Sequence, residues 1–244
     1  RASVCISLYN YADRVLSALE SVRRQSLRPL ELIVVDDSSS DGGEQRVSAW
    51  LREHSQDFQR AVLLRHTENG GLAAARNTAF SASKAEWCFV LDADNSLEPE
   101  AVALCLAVAE RSPSTTAVVH PMVELRNESR VDGQPEQALL SHIPWQREAM
   151  LRGNQIDAMA LVRREHWHLV GGYTHIPGGW EDYDFWCKII EAGLHGVICP
   201  QRLAVYNRHN SSMQARKTLS HLWSLKRILM SRHPWLHLDS PIHA

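Results

Sequence analysis

The segment Trp87–Asn95 reads Trp-Cys-Phe-Val-Leu-Asp-Ala-Asp-Asn, five apolar residues running directly into Asp92 and Asp94. A short continuous apolar run suits a strand buried on both faces of a parallel sheet. Open parallel sheets bind ligands just beyond the carboxyl ends of their strands, where this run turns acidic. On an extended backbone, residues two apart point the same way, so the two carboxylates aim at one spot. Uncompensated, such a pair repels itself, and a hard divalent cation is its natural complement. An acidic turn that caps the next helix fits the same spacing. Spacing alone leaves both readings open.

The chain around this segment alternates strand and helix. Ser3–Tyr9, Leu30–Val35, Ala61–Arg65 and Trp87–Leu91 read as strands. Between them run a helix begun at Asn10–Asp13 with Val15, Leu16, Leu19 and Val22 on one face, one with Val47, Trp50 and Leu51 inward, and an alanine-rich helix through about Ser83. Pro99 is expected to open the next helix. Four alternations predict an α/β fold with a mostly parallel sheet and right-handed crossovers. The second half is less regular. Ala117–Leu125 and Ile156–Val162 read as strands, Arg163–Val170 and Glu181–Ala192 as helices, and Arg126–Gly153 as an insertion. Two short strands, Gly196–Cys199 and Leu203–Asn207, are expected before an amphipathic helix around Met213–Ser231.

With 244 residues the chain can bury a good core, and 44% hydrophobic with 22% charged residues is ordinary for a soluble globular protein. A net charge of -2 gives no reason to expect a nucleic-acid partner. The distribution says more: no acid lies between Glu191 and Asp239, while seven Lys and Arg residues from Arg202 to Arg232 do. A basic C-terminal stretch beside an acidic centre suits an anionic substrate or a membrane surface. Cys5, Cys88, Cys105, Cys187 and Cys199 have no zinc-ligand spacing and read as reduced core cysteines of a cytoplasmic protein. No apolar run approaches the ~18 residues of a membrane helix. The chain opens on Arg1 rather than Met, which fits an excised piece of a longer protein.

Asp36-Asp37 ends a second apolar strand, and two such endings in one sheet are expected to face one crevice, suited to a nucleotide and a metal. Between them lies Glu68-Asn69-Gly70-Gly71-Leu72-Ala73-Ala74-Ala75-Arg76-Asn77. Its glycines permit close backbone approach, the helix start offers free N–H groups to anions, and Arg76 brings a forked cation, although this stretch taken alone also reads as a stable alanine-rich helix with one solvated arginine. Downstream follow Val170-Gly171-Gly172-Tyr173, Trp180-Glu181-Asp182-Tyr183-Asp184 and Tyr206-Asn207-Arg208-His209.

Together with Ser7-Leu8-Tyr9-Asn10, these blocks resemble the family 2 glycosyltransferases, inverting enzymes of GT-A fold, over nearly the whole chain. The resemblance implies one domain over 1–244, divided into a nucleotide-sugar-binding half (1–116), an acceptor-binding and catalytic half (117–212) and a C-terminal helix and tail (213–244). It implies a nucleotide-diphospho-sugar donor, a glycan or other hydroxyl acceptor, and Mn²⁺ or Mg²⁺. Asp36 and Asp37 then sit against the base, and Arg76 near the base or diphosphate. Asp92 faces the ribose and Asp94 the metal, with Asp92 and His209 as further metal ligands. Asp182 matches the general base. Tyr9, Asn10, Asn69, Gly70, Trp180 and Glu181 fall among the substrate-binding residues, with Trp180 stacking on a sugar or simply packing. Two departures stand out: Leu8 replaces a frequent proline, and Asn95 replaces a frequent aspartate, leaving the metal site less negative.

Two other classes compete. A sugar-phosphate nucleotidyltransferase would carry a glycine-rich basic loop after the first strand, unlike Tyr9-Asn10-Tyr11-Ala12-Asp13. A non-catalytic sugar- or protein-binding module could keep the fold without turnover, against which the joint presence of Asp92, Asp94, Asp182 and His209 argues. The C-terminal helix is expected to pack its apolar face on the domain, with peripheral contact at the inner membrane face as the alternative.

Overall fold

Val4, Ile6 and Leu8 bury on one side of the first strand and Cys5 on the other, so every position can be apolar. The computed structural model describes residues 1–127, 138–209 and 220–239. Strands β1 (Ala2–Leu8), β2 (Glu31–Asp36), β3 (Arg60–Arg65) and β4 (Trp87–Asp92) are parallel, in the order β3-β2-β1-β4. They continue through β5 (Ser96–Leu97), β6 (Thr116–Asn127), β7 (Ala138–Leu140), β8 (Leu161–Arg163) and β9 (His195–Arg208). Beyond β4 the order is β8-β6-β9-β5, with β7 on β6; the β6–β9 pair is parallel and the other pairings antiparallel.

Helices cover both faces. On one side lie α1 (Val15–Arg23), α2 (Gly43–His54) and α4 (Ala101–Glu110), burying Leu19, Trp50 and Cys105. On the other lie α3 (Leu72–Ala82), α7 (Glu181–Glu191) and α8 (Leu222–Arg232), burying Phe80, Trp186 and Leu229. Short helices α5 (Arg147–Met150) and α6 (Arg164–Leu169) complete the set. Buried Ala73, Ala75 and Ala79 let α3 lie close on the sheet. All five cysteines are buried free thiols.

Four sequence expectations need correction. The strand expected over Ile156–Val162 shrinks to β8, because Asp157 turns the chain there: its N–H donates to Ser141 Oγ (2.6 Å) and its Oδ1 accepts Met159 N–H (2.9 Å). The two strands expected over Gly196–Asn207 are one, β9, running beside β6. Cys199 pairs with Pro121 and Arg202 with Met122, so Pro200 and Gln201 are absorbed in a bulge, a place that tolerates a proline. Pro99 precedes rather than opens α4, which starts after a turn closed by Ala101 N–H on Glu98 O (3.0 Å). The last helix begins at Leu222; residues 213–219 of its expected span lie outside the described residues, as do residues 128–137 of the insertion. Its Leu225 and Leu229 pack into the domain, while Trp223 is 74% exposed under Lys226. Among the described residues, no helix is long and apolar enough to cross a membrane.

Candidate active site

Both acidic strand ends flank β1: Asp36 pairs with Leu8 on one side and Asp92 with Ser7 on the other. The next residue, Asp37, is buried and organises the glycine-rich turn. Its carboxylate accepts the N–H groups of Gly70 (2.9 Å) and Gly71 (2.8 Å) and Asn69 Nδ2 (2.9 Å), and meets His66 Nδ1 (2.6 Å). That grip fixes the start of α3, where Gly71 holds φ +85, left-handed backbone that glycine adopts freely. Asp36 is fully buried, accepts Ser39 N–H and lines neither of the cavities described below.

One helical turn into α3, buried Arg76 donates Nη2 to Asp92 Oδ1 at 2.9 Å and lies 5.4 Å from the Tyr173 ring centre. Burial opposes its charge, but the carboxylates around it, Asp92 foremost and then Asp182 and Glu181, outweigh that and raise its pKa. Asp94 reaches the other way, with its Oδ2 2.9 Å from His209 Nε2. Burial and then the Asp92 charge push the Asp94 carboxyl up, and the His209 contact partly offsets them. Asn95, at the position where the resemblance leads one to expect an acid, is buried and accepts Asn207 N–H (2.9 Å), while Asn207 Nδ2 donates to Asp94 O (2.8 Å). The amide thus splices the acidic strand end to β9, and β9 delivers His209.

Helix α7 supplies the remaining acids. Gly178, Gly179 and Trp180 all have positive φ, a sharp turn that delivers Glu181 and Asp182 at the helix start. Trp180 is the N-cap residue and makes no side-chain cap, and Asp182 follows it in the first turn of α7. Its Oδ2 instead accepts Asn154 Nδ2 at 2.7 Å. Burial raises the Asp182 pKa, with Arg76 pulling the other way. Glu181, buried beside it, is pushed up to about 7 by burial, and so is Asp157, with Asp92 and Asp182 adding to the latter.

The family model for glycosyl transferase family 2 matches residues 3–169. The chain belongs to this family. An uncharacterized glycosyltransferase of Haemophilus influenzae is 31% identical over 194 residues, covering 78% of this chain and 62% of that relative. The chain therefore spans less than two thirds of its curated relative. S. aureus TarS in complex with UDP-GlcNAc matches with a TM-score of 0.71 at 15% identity, over 95% of this chain and 66% of that one. A Pyrobaculum calidifontis mannosyltransferase in complex with GDP-Man and Mn²⁺ matches with 0.66 at 22%, over 96% and 61%. These likenesses establish the GT-A fold.

In this family 2 glycosyltransferase two cavities of about 390 Å³ each adjoin, sharing Leu72, Asp92, Glu181 and Tyr206 as common wall. One takes in Tyr9, Asn10, Tyr11, Asp37, Asn69 and Asp94. The other takes in Arg76, Asn154, Asp157, Trp180, Asp182 and Arg208, together with residues 139–143. The sequence reading missed Asn154, Asp157, Tyr11 and Tyr206. A signal for Asp157 existed: it opens an apolar run as Asp92 closes one, yet it reads as an ordinary strand start.

Among the described residues no three His, Cys, Asp or Glu side chains form a metal cage. The pair present still suits a divalent cation. Two ligands bound at about 2.1 Å and at right angles lie about 3 Å apart, close to the 2.9 Å between Asp94 Oδ2 and His209 Nε2. The partners of the Asp94 carboxyl also leave it short of positive charge, which a cation supplies.

The raised acids carry a pH consequence. A carboxyl whose folded pKa exceeds its unfolded value, about 3.9–4.3, contributes stability that is full below that value and lost as pH rises through the folded pKa. For Asp157 and Glu181 that loss runs up to about 7. The thermal midpoint of the ligand-free protein is expected to fall between pH 5 and pH 8, and less so in Asp157→Asn. A midpoint that rises over this range contradicts the description.

Proposed function

We propose that this chain transfers a sugar from a nucleotide-diphospho-sugar to an acceptor hydroxyl with inversion at the anomeric carbon, with Asp182 as general base. The carrying observation is the placement of Asp182: a partly buried carboxylate held by Asn154, in the second cavity, next to the wall shared with the first. On this reading the first cavity holds the donor and the second the acceptor. The acceptor hydroxyl meets Asp182, which takes its proton as the oxygen attacks the anomeric carbon from the face opposite the leaving diphosphate. The raised Asp182 pKa makes it a stronger base than an exposed aspartate. Arg76, bonded to Asp92 on the shared wall, steadies negative charge on the departing group.

Asp94 and His209 are the residues we assign to Mn²⁺ or Mg²⁺, with Asp92 at the ribose or as a third ligand. When bound, the ion neutralises the diphosphate and eases its departure. Tyr9, 46% exposed on the donor cavity, offers a face to the base. The fold neighbours hold UDP-GlcNAc and GDP-Man, which supports a hexosyl or N-acetylhexosaminyl donor without choosing the nucleotide. The same reading assigns donor binding to 1–116, acceptor binding and catalysis to 117–212, and places the protein in the cytoplasm, with exposed Trp223 and its basic neighbours the candidate contact with the inner membrane face.

The test is donor hydrolysis. UDP-GlcNAc and GDP-mannose are each incubated with the protein, with and without Mn²⁺, and free nucleotide is measured. Slow, metal-dependent release from one donor is expected. Binding of a donor with no release, in any metal and with any acceptor offered, favours the non-catalytic module.

A further inference from the structure

Asp157 has no role in the scheme above, yet it lines the acceptor cavity together with Asp182. Its backbone is locked: N–H on Ser141 Oγ, and its own Oδ1 on Met159 N–H. Three residues back, the Asn154 side chain accepts Ile156 N–H (3.2 Å) while holding Asp182 Oδ2. One short turn thus fixes two carboxylates from different parts of the chain on one wall. Among the described residues, no hydrogen-bond donor meets the second oxygen of Asp157, and the residue is only partly buried, so that oxygen is open to a donor in the cavity. A hydroxyl of a bound ligand supplies such a donor. Leu139, Leu140, Ile143 and Trp180 line the same cavity. A lining that mixes polar acceptors with apolar side chains matches a pyranose, which shows hydroxyls at its edge and C–H groups on its face.

Resting on the acceptor assignment of that cavity, we infer that Asp157 Oδ2 accepts a hydrogen bond from a hydroxyl adjacent to the one that reacts at Asp182. Asp157 is thereby a specificity-determining residue, and the acceptor is a sugar bearing neighbouring free hydroxyls rather than an isolated alcohol. The chemistry selects on the neighbouring hydroxyl, because a site built to bond it rejects an analogue without it.

The test uses methyl hexopyranosides, each with its monodeoxy analogues, and a serine-containing peptide as the isolated alcohol. Transfer from UDP-GlcNAc or GDP-mannose with Mn²⁺ is measured for the wild type, Asp157→Asn and Asp182→Asn. Asparagine keeps the Oδ1 bond to Met159, and the thermal midpoint monitors folding. We expect transfer to at least one glycoside, with an acceptor KM raised about 10- to 100-fold either by Asp157→Asn or by deleting the neighbouring hydroxyl, as loss of a hydrogen bond to a charged group implies. The two losses should not add, and donor affinity should not move. Equal transfer to the peptide, transfer to none of the glycosides while donor is hydrolysed, or an unchanged acceptor KM in Asp157→Asn overturns the inference. Normal transfer by Asp182→Asn is a different result: it removes the base assignment and leaves the Asp157 measurement standing.

Discussion

Asp182→Asn is expected to fold normally, bind donor normally and lose sugar transfer by ~10²–10⁴-fold, the usual worth of a positioned base. The substitution preserves size and keeps an oxygen for the Asn154 Nδ2 contact at 2.7 Å. It removes only the capacity to take a proton at neutral pH, since an amide oxygen is far less basic than a carboxylate. Stability should hold or rise slightly, because burial already works against the ionised form of this side chain. Asp94→Asn should differ in kind by weakening metal-dependent donor binding as well as rate. One donor titration and one turnover assay separate them. Near-normal transfer by Asp182→Asn, measured with a true acceptor, rules out the base assignment.

The largest expected loss of stability lies two residues further along α7. Asp184 is fully buried and lines neither cavity, so it is not a reserve for Asp182. It accepts from His233 Nε2 (3.0 Å) and Arg232 Nε, and Lys188 Nζ lies 3.2 Å from its other oxygen. His233 Nδ1 in turn meets Glu191 at 2.8 Å, and Trp235 Nε1 donates to the same oxygen. Burial opposes the Asp184 charge, but His233, Arg232 and Lys188 outweigh it and hold the carboxyl well below its usual range. The same contacts hold His233 above its usual value despite burial.

Asp184→Ala removes the buried carboxylate shared by three cations, one of them a buried histidine, and should cost about 3–5 kcal/mol, as removing one partner of a buried ion pair does. The pH signs are opposite for the two partners. The Asp184 contribution exists above about pH 3.9 and is lost as pH falls through its lower folded value. The His233 contribution is full below about pH 6.5 and is lost as pH rises through its higher folded value. Chemical denaturation at pH 6 should show the full effect, and a loss under 1 kcal/mol would mean that the network adds little. Because α8 also packs Leu225 near Gly178, beside the turn that delivers Asp182, this network braces α7.

The left half of the sheet was legible because its signals are local. Each of β1 to β4 is an apolar run closed by a polar or acidic residue, and in β1, β2 and β4 burial on both faces leaves no competing pattern. The convergence of Asp37, Arg76, Asp92 and Asp94 followed, since parallel strands bring their carboxyl ends to one edge. The right half was harder for a physical reason. Its strands depend on partners far away in sequence, as with β9, whose bulge at Pro200 reads locally as a break. Asp157 passed as the start of an apolar run because its turn is made with Ser141 and Met159, contacts not visible from spacing. Asn95 reads as a missing metal ligand, yet its side chain is occupied in holding Asn207. Conversely, Asp36 carries the right residue type at the right strand end, but its carboxylate is buried away from both cavities.

Calorimetric titration with UDP and with GDP, with and without Mn²⁺, tests the central claim most directly: that the Asp92–Asp94 strand end and His209 form a metal-dependent nucleotide-sugar site. For the wild type, one of the two nucleotides is expected to bind only when Mn²⁺ is present, and Asp94→Asn is expected to abolish that metal-dependent binding while the fold persists. Failure of both nucleotides to bind with Mn²⁺, or binding indifferent to both Mn²⁺ and Asp94→Asn, would contradict it.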